Sequence, residues 1–291
     1  MCALMGFIVC AVYPKENKMN LRTLRDLVRS VIEVEAEYKI RRLSYNLIPV
    51  KIRAETAVAH ACVWKTGSQW IRLVLSDPRL YHFCGRKPYV WAKLKQNESF
   101  DRNVCLTASY ATTDQVFQVV PKEKTRAFFV IRHPAHLFAS WYVSTLVTHR
   151  LNPGILEMRA HCEDLPEEGR VEYLLGRYEK EFLGTMRAWL EEAHRSENTI
   201  IVRFEDLVGA EGLQVWRQIF DHIEIPVPEK DMAEIIYTYR IENLKKKGRQ
   251  GEEDKYSKSG RTDLSVFESQ VSRGMIVSAT SDLVQEFGYT L

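Results

Sequence analysis

Short continuous runs of apolar residues alternate along this chain with longer stretches in which apolar positions recur every three or four residues. The runs predict four buried strands, at residues 56–63, 104–108, 126–131 and 198–204. The longer stretches predict helices at residues 70–75, 135–147, 171–195, 209–223, 229–247 and 275–287. This alternation predicts an α/β domain whose mainly parallel central sheet is covered by helices on both faces.

The first fifty residues lie outside this alternation. Residues 20–42 have the spacing of a long amphipathic helix, so we expect residues 1–50 to be an N-terminal extension whose helix packs on a single domain of residues 51–291. Residues 1–13 are apolar and uncharged, which fits a signal-peptide core, a loose extension or a first strand. No other segment approaches the length of a membrane span, so we expect a soluble protein.

Two stretches of the domain interrupt the pattern of strands and helices. Residues 79–96 contain several aromatic residues, a glycine and a proline, and we expect an irregular excursion that helps to shape a ligand pocket. Residues 245–260 are polar and charged and contain glycine, which predicts a mobile loop.

The composition changes this picture little. Of the 291 residues, 45% are hydrophobic and 27% are charged, as in ordinary globular proteins. The net charge of +3 gives no argument for a nucleic-acid partner. The six cysteines show no paired CxxC spacing, which favours reduced thiols in the cytoplasm over a zinc site or a disulfide framework.

A glycine-containing turn at residues 64–70 joins the first predicted strand to a helix. The first turn of a helix has backbone N–H groups without partners and carries the positive end of the helix dipole, so it attracts anions. Gly67 lets a bound oxyanion come close to the backbone, Thr66 and Ser68 add hydroxyl donors, and Lys65 adds a positive charge. The sequence therefore predicts an oxyanion site here, and the alternative is a plain turn with a solvated lysine.

A second candidate anion site follows the strand at residues 126–131. Arg132 stands at the carboxyl end of that strand, where ligands of parallel sheets bind. Ser140 lies eight residues further on, two turns into the next helix, on the side that can face Arg132. An arginine with a hydroxyl suits a phosphate, and the alternative is a surface arginine with a serine that bonds to its own helix.

Four motifs occur in the order and spacing of one protein family. They are V-W-K-T-G-S-Q-W at residues 63–70, F-V-I-R-H-P at 129–134 followed by Ser140, V-R-F-E-D-L at 202–207 and E-F-G-Y at 286–289. In these motifs the chain resembles the sulfotransferases that use 3′-phosphoadenosine 5′-phosphosulfate (PAPS) and release 3′-phosphoadenosine 5′-phosphate (PAP). The resemblance implies a P-loop-like three-layer fold. Since we expect no membrane anchor, the soluble small-molecule branch is favoured over the Golgi branch that modifies glycans.

The resemblance also implies a role for each matching residue. Lys65 would contact the oxygen that bridges phosphate and sulfate, and would offset the charge that develops there as the sulfuryl group leaves. Trp70 and Phe204 would lie near the adenine, Phe204 at a position where many cytosolic members have a tyrosine. The residues implied to hold the 5′-phosphate are Thr66, Gly67, Ser68 and Gln69. Those implied to hold the 3′-phosphate are Arg132 and Ser140.

The family's late basic loop, R-K-G-x-x-G, has no clean counterpart in this chain. The nearest stretch is K-S-G-R at residues 258–261, in which Lys258 and Arg261 would contact the 3′-phosphate. Residues 247–251 are a rival for the same role.

The general base is missing from its expected place. Cytosolic members carry a Thr-His pair about 22 residues before the 3′-phosphate arginine, whereas residues 107–111 of this chain read T-A-S-Y-A. Candidates elsewhere are Glu98, Asp114, His133 and His149. An amine or guanidinium acceptor, or a carboxylate base, would explain the difference. Aromatic candidates for the acceptor pocket are Tyr81, His82, Phe83, Tyr89, Trp91, Trp141, Tyr142 and His149.

The resemblance thus implies a PAPS-dependent sulfotransferase that transfers a sulfuryl group in line to a hydroxyl or nitrogen of a small molecule or secondary metabolite. We expect PAPS as co-substrate, no metal, and neither nucleic acid nor a membrane as partner; a monomer and a homodimer both stay open. One alternative is a P-loop kinase-like enzyme, but the turn lacks the G-x-x-x-x-G-K-[ST] spacing. The other is a nucleotide-binding scaffold without catalysis, which the missing base motif favours.

Overall fold

The computed structural model describes residues 45–290 apart from residues 53, 150, 241–242 and 244–262. The expected N-terminal extension, up to residue 44, and its helix at residues 20–42 therefore lie outside the described residues. Lys258, Arg261 and the rival loop at residues 247–251 lie outside them as well. Within the described ranges, no helix combines the length and the apolar character that crossing a membrane requires.

Five parallel strands form the central sheet. They are β1 (Ala57–Cys62), β2 (Lys87–Val90), β3 (Val104–Ser109), β4 (Thr125–Ile131) and β5 (Thr199–Arg203), and they lie in the order β2-β3-β1-β4-β5. All six residues of the central strand β1 are buried, because helices cover both faces of a parallel sheet. The predicted α/β fold with a parallel sheet is confirmed.

Helices pack on both faces of this sheet. One face carries α1 (Ser68–Leu75), α2 (Pro78–Cys84), α8 (Phe204–Val208), α9 (Gly212–His222) and α10 (Glu229–Thr238). The other carries α3 (Thr113–Val119), α4 (Pro134–Val143), α5 (Pro153–Cys162), α6 (Glu167–Tyr178), α7 (Gly184–Arg195) and α11 (Gln270–Glu286). Two π-helical segments follow α4 and α6, at Ser144–Thr148 and Glu179–Leu183. Short 3₁₀ turns occupy Tyr45–Leu47, Trp91–Lys93, Lys122–Lys124 and Leu264–Val266.

The strand β1 contributes to both layers of the core, because successive side chains of a strand point to opposite faces. Ala57, Ala59 and Ala61 pack in the layer that contains α4 and α7, while Val58 packs in the layer of α1 and α9. β1 and β4 run side by side, with Cys62 paired to Val130 at their carboxyl ends. The chain therefore leaves these two strands at adjoining points on one edge of the sheet.

The prediction of an irregular excursion at residues 79–96 was wrong. The stretch contains the helix α2 and the edge strand β2. The side chain of Asp77 accepts a hydrogen bond from the Arg79 backbone N–H at 2.8 Å, and Pro78 takes the first helical position, so this short helix is well capped. Pro88 fits in β2 because an edge strand leaves one side of its backbone without a pairing partner.

The other helices differ from prediction mainly at interruptions and caps. The helix expected at residues 171–195 is divided by the π-helical segment Glu179–Leu183. Helices α3 and α5 were not predicted. The first begins with a capping box between Thr112 and Gln115, and the second with an Asn152 side chain that accepts from the Ile155 N–H. The four cysteines of the described part are buried free thiols: Cys62, Cys84, Cys105 and Cys162.

Candidate functional site

The turn between β1 and α1 is built from two residues with left-handed backbone conformations. Lys65 has a φ of +71° and Gly67, the N-cap of α1, has a φ of +72°. A non-glycine residue in this region is uncommon and is held there by its surroundings. Because Gly67 has no side chain to cap the helix, the N–H groups of Ser68 and Gln69 are available to an anion.

Phe204 covers this turn from the end of β5. A Cβ atom placed on Gly67 would lie 2.5 Å from Cε2 of the Phe204 ring, so a side chain at this position would displace the ring. The same ring lies 5.7 Å from the guanidinium carbon of Arg132. Phe204 therefore contacts both candidate anion sites and joins them into one surface.

Lys65 and Arg132 lie next to each other. The Arg132 guanidinium donates a hydrogen bond from Nη1 to the backbone oxygen of Lys65 at 3.4 Å. Burial, followed by the charge of Arg132, lowers the pKa of the Lys65 ammonium. Burial also lowers the pKa of Arg132, which the nearby Glu205 carboxylate opposes. Two cations held together in a partly desolvated space form a strong site for a multiply charged anion.

The hydroxyl groups of the turn have different partners. Thr66 is fully buried and donates its hydroxyl hydrogen bond to the Val63 carbonyl at 2.8 Å, so it braces the turn from inside. Ser68 shares a 2.6 Å hydrogen bond with the hydroxyl of Tyr110. The Gln69 side-chain amide donates to the same Tyr110 oxygen at 3.4 Å. Sequence reasoning missed Tyr110; the available signal was its place directly after β3, a neighbour of β1.

The third and fourth sequence motifs contact each other beside Arg132. The Glu205 carboxylate accepts hydrogen bonds from the His133 backbone N–H at 3.0 Å and from the Tyr289 hydroxyl at 2.8 Å. Arg203 donates to the backbone oxygen of Gly288 at 2.8 Å. These contacts hold the backbone directly after Arg132 in place. Residues 202–207 and 286–289 therefore support the candidate site through the residues next to Arg132.

Three further predicted residues are more enclosed. The Trp70 indole packs edge-to-face against Trp216 at 5.5 Å, and its Nε1 is buried with no hydrogen-bond partner among the described residues. Ser140 lies in α4 and is 1% exposed. Trp141, a candidate for the acceptor pocket, is also 1% exposed and belongs to the core.

The four candidate bases lie in different surroundings. Glu98 accepts from the Lys95 N–H in an exposed turn, and Asp114 lies in the first turn of α3 beside a cavity lined by Lys122. The His133 ring stacks on His136 at 4.2 Å. The His149 ring stacks on the Trp64 indole at 5.5 Å with an interplanar angle of 14°. Of the four, His149 is the one whose ring contacts the motif at residues 63–70.

Both π-helical segments direct aromatic side chains to Trp64. His149 directly follows the first segment, and the second contains Phe182, whose ring meets the Trp64 indole edge-on at 6.3 Å. Tyr110 approaches the same indole from β3 at 6.3 Å. Because π-helical turns change the direction of the side chains that follow, they are common at functional sites. Trp64 and these three rings form an aromatic cluster at the turn that carries Lys65.

The fold is similar to that of a known sulfotransferase. The structure of mouse sulfotransferase SULT7A1 complexed with PAP matches 84% of this chain and 90% of its own, with a TM-score of 0.53 and 14% sequence identity. Retinol dehydratase in complex with androsterone and inactive cofactor PAP matches 85% of this chain and 84% of its own, with a TM-score of 0.44 and 12% identity. The chain matches no family model and no curated protein sequence. The SULT7A1 structure confirms the fold that the motifs implied.

Proposed function

We propose that this protein is a sulfotransferase that moves a sulfuryl group from PAPS to a hydroxyl or nitrogen of a small-molecule acceptor. The observation that carries the proposal is the pair of Lys65 and Arg132, which lie side by side with lowered pKa values. The Phe204 ring lies against both Arg132 and the nearby Gly67. A nucleotide with phosphate groups at both the 3′ and the 5′ position of its ribose would supply the negative charges that such a pair stabilises.

The turn after β1 is the proposed 5′-phosphosulfate site. The N–H groups of Gly67, Ser68 and Gln69 would donate to the 5′-phosphate, together with the Ser68 hydroxyl. Thr66 would act through its backbone, because its hydroxyl is already bonded to the Val63 carbonyl. Lys65 would lie at the oxygen that bridges phosphate and sulfate.

The end of β4 is the proposed 3′-phosphate site. Arg132 would form two parallel hydrogen bonds to the phosphate, with the Ser140 hydroxyl as a further donor. Either Lys258 and Arg261 or the rival stretch at residues 247–251 would complete this site. The Phe204 ring, which covers Gly67, and the Trp70 indole would lie near the adenine.

PAPS supplies an activated sulfuryl group whose bridging S–O bond breaks as the acceptor atom bonds to sulfur. Lys65 would offset the charge that gathers on the bridging oxygen, which leaves with PAP. The acceptor must also lose a proton, and His149 is the best placed of the four candidate bases because its ring lies on Trp64, next to Lys65. The aromatic cluster around Trp64 would then form a wall of the acceptor site. The buried free thiols support placing the protein in the reducing cytoplasm.

Calorimetric titration of the purified protein with PAP, and separately with ATP and Mg²⁺, tests the proposal. We expect PAP to bind and ATP with Mg²⁺ to bind far more weakly, because ATP lacks a 3′-phosphate. Transfer of ³⁵S from labelled PAPS to a panel of phenols, alcohols and amines then tests catalysis. Tight binding of ATP with weak binding of PAP would instead support phosphoryl transfer, and PAP binding without transfer to any acceptor would support a scaffold.

A further inference from the structure

Tyr110 occupies a position between two residues of the proposed 5′-phosphate site. Its hydroxyl lies 2.6 Å from Ser68 Oγ and 3.4 Å from the Gln69 amide nitrogen. It reaches this place from β3, a separate strand, forty-one residues after Gln69. None of the four sequence motifs includes it. The contact is therefore a tertiary feature of the fold rather than a property of the turn itself.

The hydrogen bond between Ser68 and Tyr110 joins two hydroxyl groups, so either group can donate it, whereas the bond from Gln69 has one direction. The Gln69 amide N–H can only donate, so the Tyr110 oxygen accepts from it. When a phosphate accepts the Ser68 proton, Ser68 Oγ is left to accept the proton of Tyr110. The three groups would then form a chain that runs from Gln69 through Tyr110 and Ser68 to the anion. A chain of hydrogen bonds polarises its members, so the last hydroxyl becomes a stronger donor.

An unusual backbone conformation holds Tyr110 in this position. Two residues earlier, Ala108 has a φ of +52°, and the pairing of β1 with β3 slips between Ala59 and Ala61. The Ala108 N–H, which this bulge takes out of the strand ladder, donates to Nδ1 of the fully buried His60 at 3.2 Å. A β-bulge redirects the residues that follow it, and here it turns the end of β3 towards Ser68.

We propose that Tyr110 is a positioning residue that orients and polarises the Ser68 hydroxyl as a hydrogen-bond donor to the 5′-phosphate of the nucleotide. This inference rests on the proposed function and adds a residue outside its motifs. Burial raises the pKa of the Tyr110 phenol to about 12, so the hydroxyl keeps its proton at neutral pH. The protonated hydroxyl is therefore able to donate to Ser68.

The test compares two nucleotides that differ only in the 5′-phosphate: PAP and adenosine 3′-phosphate. We expect Tyr110→Phe to weaken PAP binding by roughly five- to tenfold, the range of one hydrogen bond to a charged network, and to leave the affinity for adenosine 3′-phosphate within about twofold. Ser68→Ala should weaken PAP binding at least as much. The double variant should bind PAP as Ser68→Ala does, since Tyr110 acts only through Ser68.

Two further variants keep the test decisive. Gln69→Leu removes the first donor of the chain from an exposed position, and we expect a smaller loss, about twofold to threefold, for PAP alone. Tyr173→Phe alters a tyrosine that stacks on His161, and it should leave both affinities unchanged. If Tyr110→Phe does not fold, Gln69→Leu still tests the chain of hydrogen bonds. Unchanged PAP binding by Gln69→Leu overturns the inference.

The outcomes separate this inference from the proposed function. Failure of the unmodified protein to bind PAP overturns both. PAP binding that Tyr110→Phe leaves unchanged overturns the inference alone. So does an equal loss for both nucleotides, or a loss in the double variant that equals the product of the two single losses.

Discussion

The ring of Phe204 lies against Gly67, and a Cβ atom on that glycine would stand 2.5 Å from the ring carbon Cε2. The two residues belong to distant parts of the chain, one at the end of β5 and the other at the start of α1. Gly67 also has a φ of +72°, which only glycine adopts without strain. Both the space and the backbone conformation therefore require glycine at this position.

Gly67→Ala should consequently destabilise the protein and weaken its binding of PAP. The left-handed conformation alone costs about 1–2 kcal/mol for a residue with a Cβ, and displacement of Phe204 adds to this cost. Urea unfolding measures the first effect and calorimetric titration the second. Gly176→Ala is the matched control: it lies in α6 with nothing within 4 Å of the new Cβ, so it should stabilise the protein by about 0.5–1 kcal/mol. Equal stability of the Gly67 and Gly176 variants would contradict this account.

Lys65→Ala should remove most of the turnover with PAPS while PAP still binds. The loss of a charge that stabilises a leaving group typically lowers kcat by roughly 10²–10³-fold. The free energy of unfolding should change little, because Lys65 and Arg132 repel each other when no anion is bound. Stopped assays with labelled PAPS and titrations with PAP measure the two effects. Lys180→Ala, at an exposed position, is the control, and retention of full turnover by Lys65→Ala would exclude the proposed role.

Arg132→Ala should discriminate between nucleotides. We expect it to weaken binding of PAP by roughly 100-fold, since two charge-assisted hydrogen bonds are lost, and to have little effect on adenosine 5′-phosphate, which lacks the 3′-phosphate. Arg195→Ala removes an arginine whose side chain is 73% exposed and should alter neither affinity. An equal loss for both nucleotides would show that Arg132 does not read the 3′-phosphate.

The sequence predicts that Lys65 and Arg132 lie close together, because this prediction requires only the positions of the strands and their direction. Both residues follow buried apolar runs, and the carboxyl ends of parallel strands lie at one edge of the sheet. The register of β1 and β4, with Cys62 beside Val130, then brings the two ends together. Burial patterns along the chain contain this information without any knowledge of side-chain contacts.

The position of Tyr110 could not be predicted in the same way. It depends on a bulge at Ala108, and alanine gives no sign of a positive φ, as glycine or asparagine would. The bulge is supported by His60, a polar residue in an apolar strand whose partner lies on β3. The hydrogen bond between Glu205 and Tyr289 could not be predicted either, because eighty-four residues separate the two partners along the chain. Contacts of this kind follow from tertiary packing and not from local spacing.

His60 should make the stability of the protein depend on pH. Burial lowers the pKa of its imidazole to about 3, so the folded protein keeps His60 neutral, whereas the unfolded chain takes up a proton below pH 6.5. Between these two values the unfolded state binds more protons, so acid favours unfolding. The contribution of His60 is complete above pH 6.5 and declines as the pH falls towards about 3.

Urea unfolding of the protein and of His60→Gln at pH 7.5, 6.0 and 5.0 measures this contribution. Glutamine does not titrate, and its side-chain oxygen can accept the Ala108 N–H in place of Nδ1. The variant should be less stable at pH 7.5, because a flexible amide fills the stacked position on Phe128 poorly, and the difference should shrink as the pH falls. His161→Gln, at an exposed position, should follow the unmodified protein at each pH. If the free energy of unfolding changed with pH by the same amount in His60→Gln and in the unmodified protein, His60 would not be kept neutral by burial. The bulge before Tyr110 would then need another support.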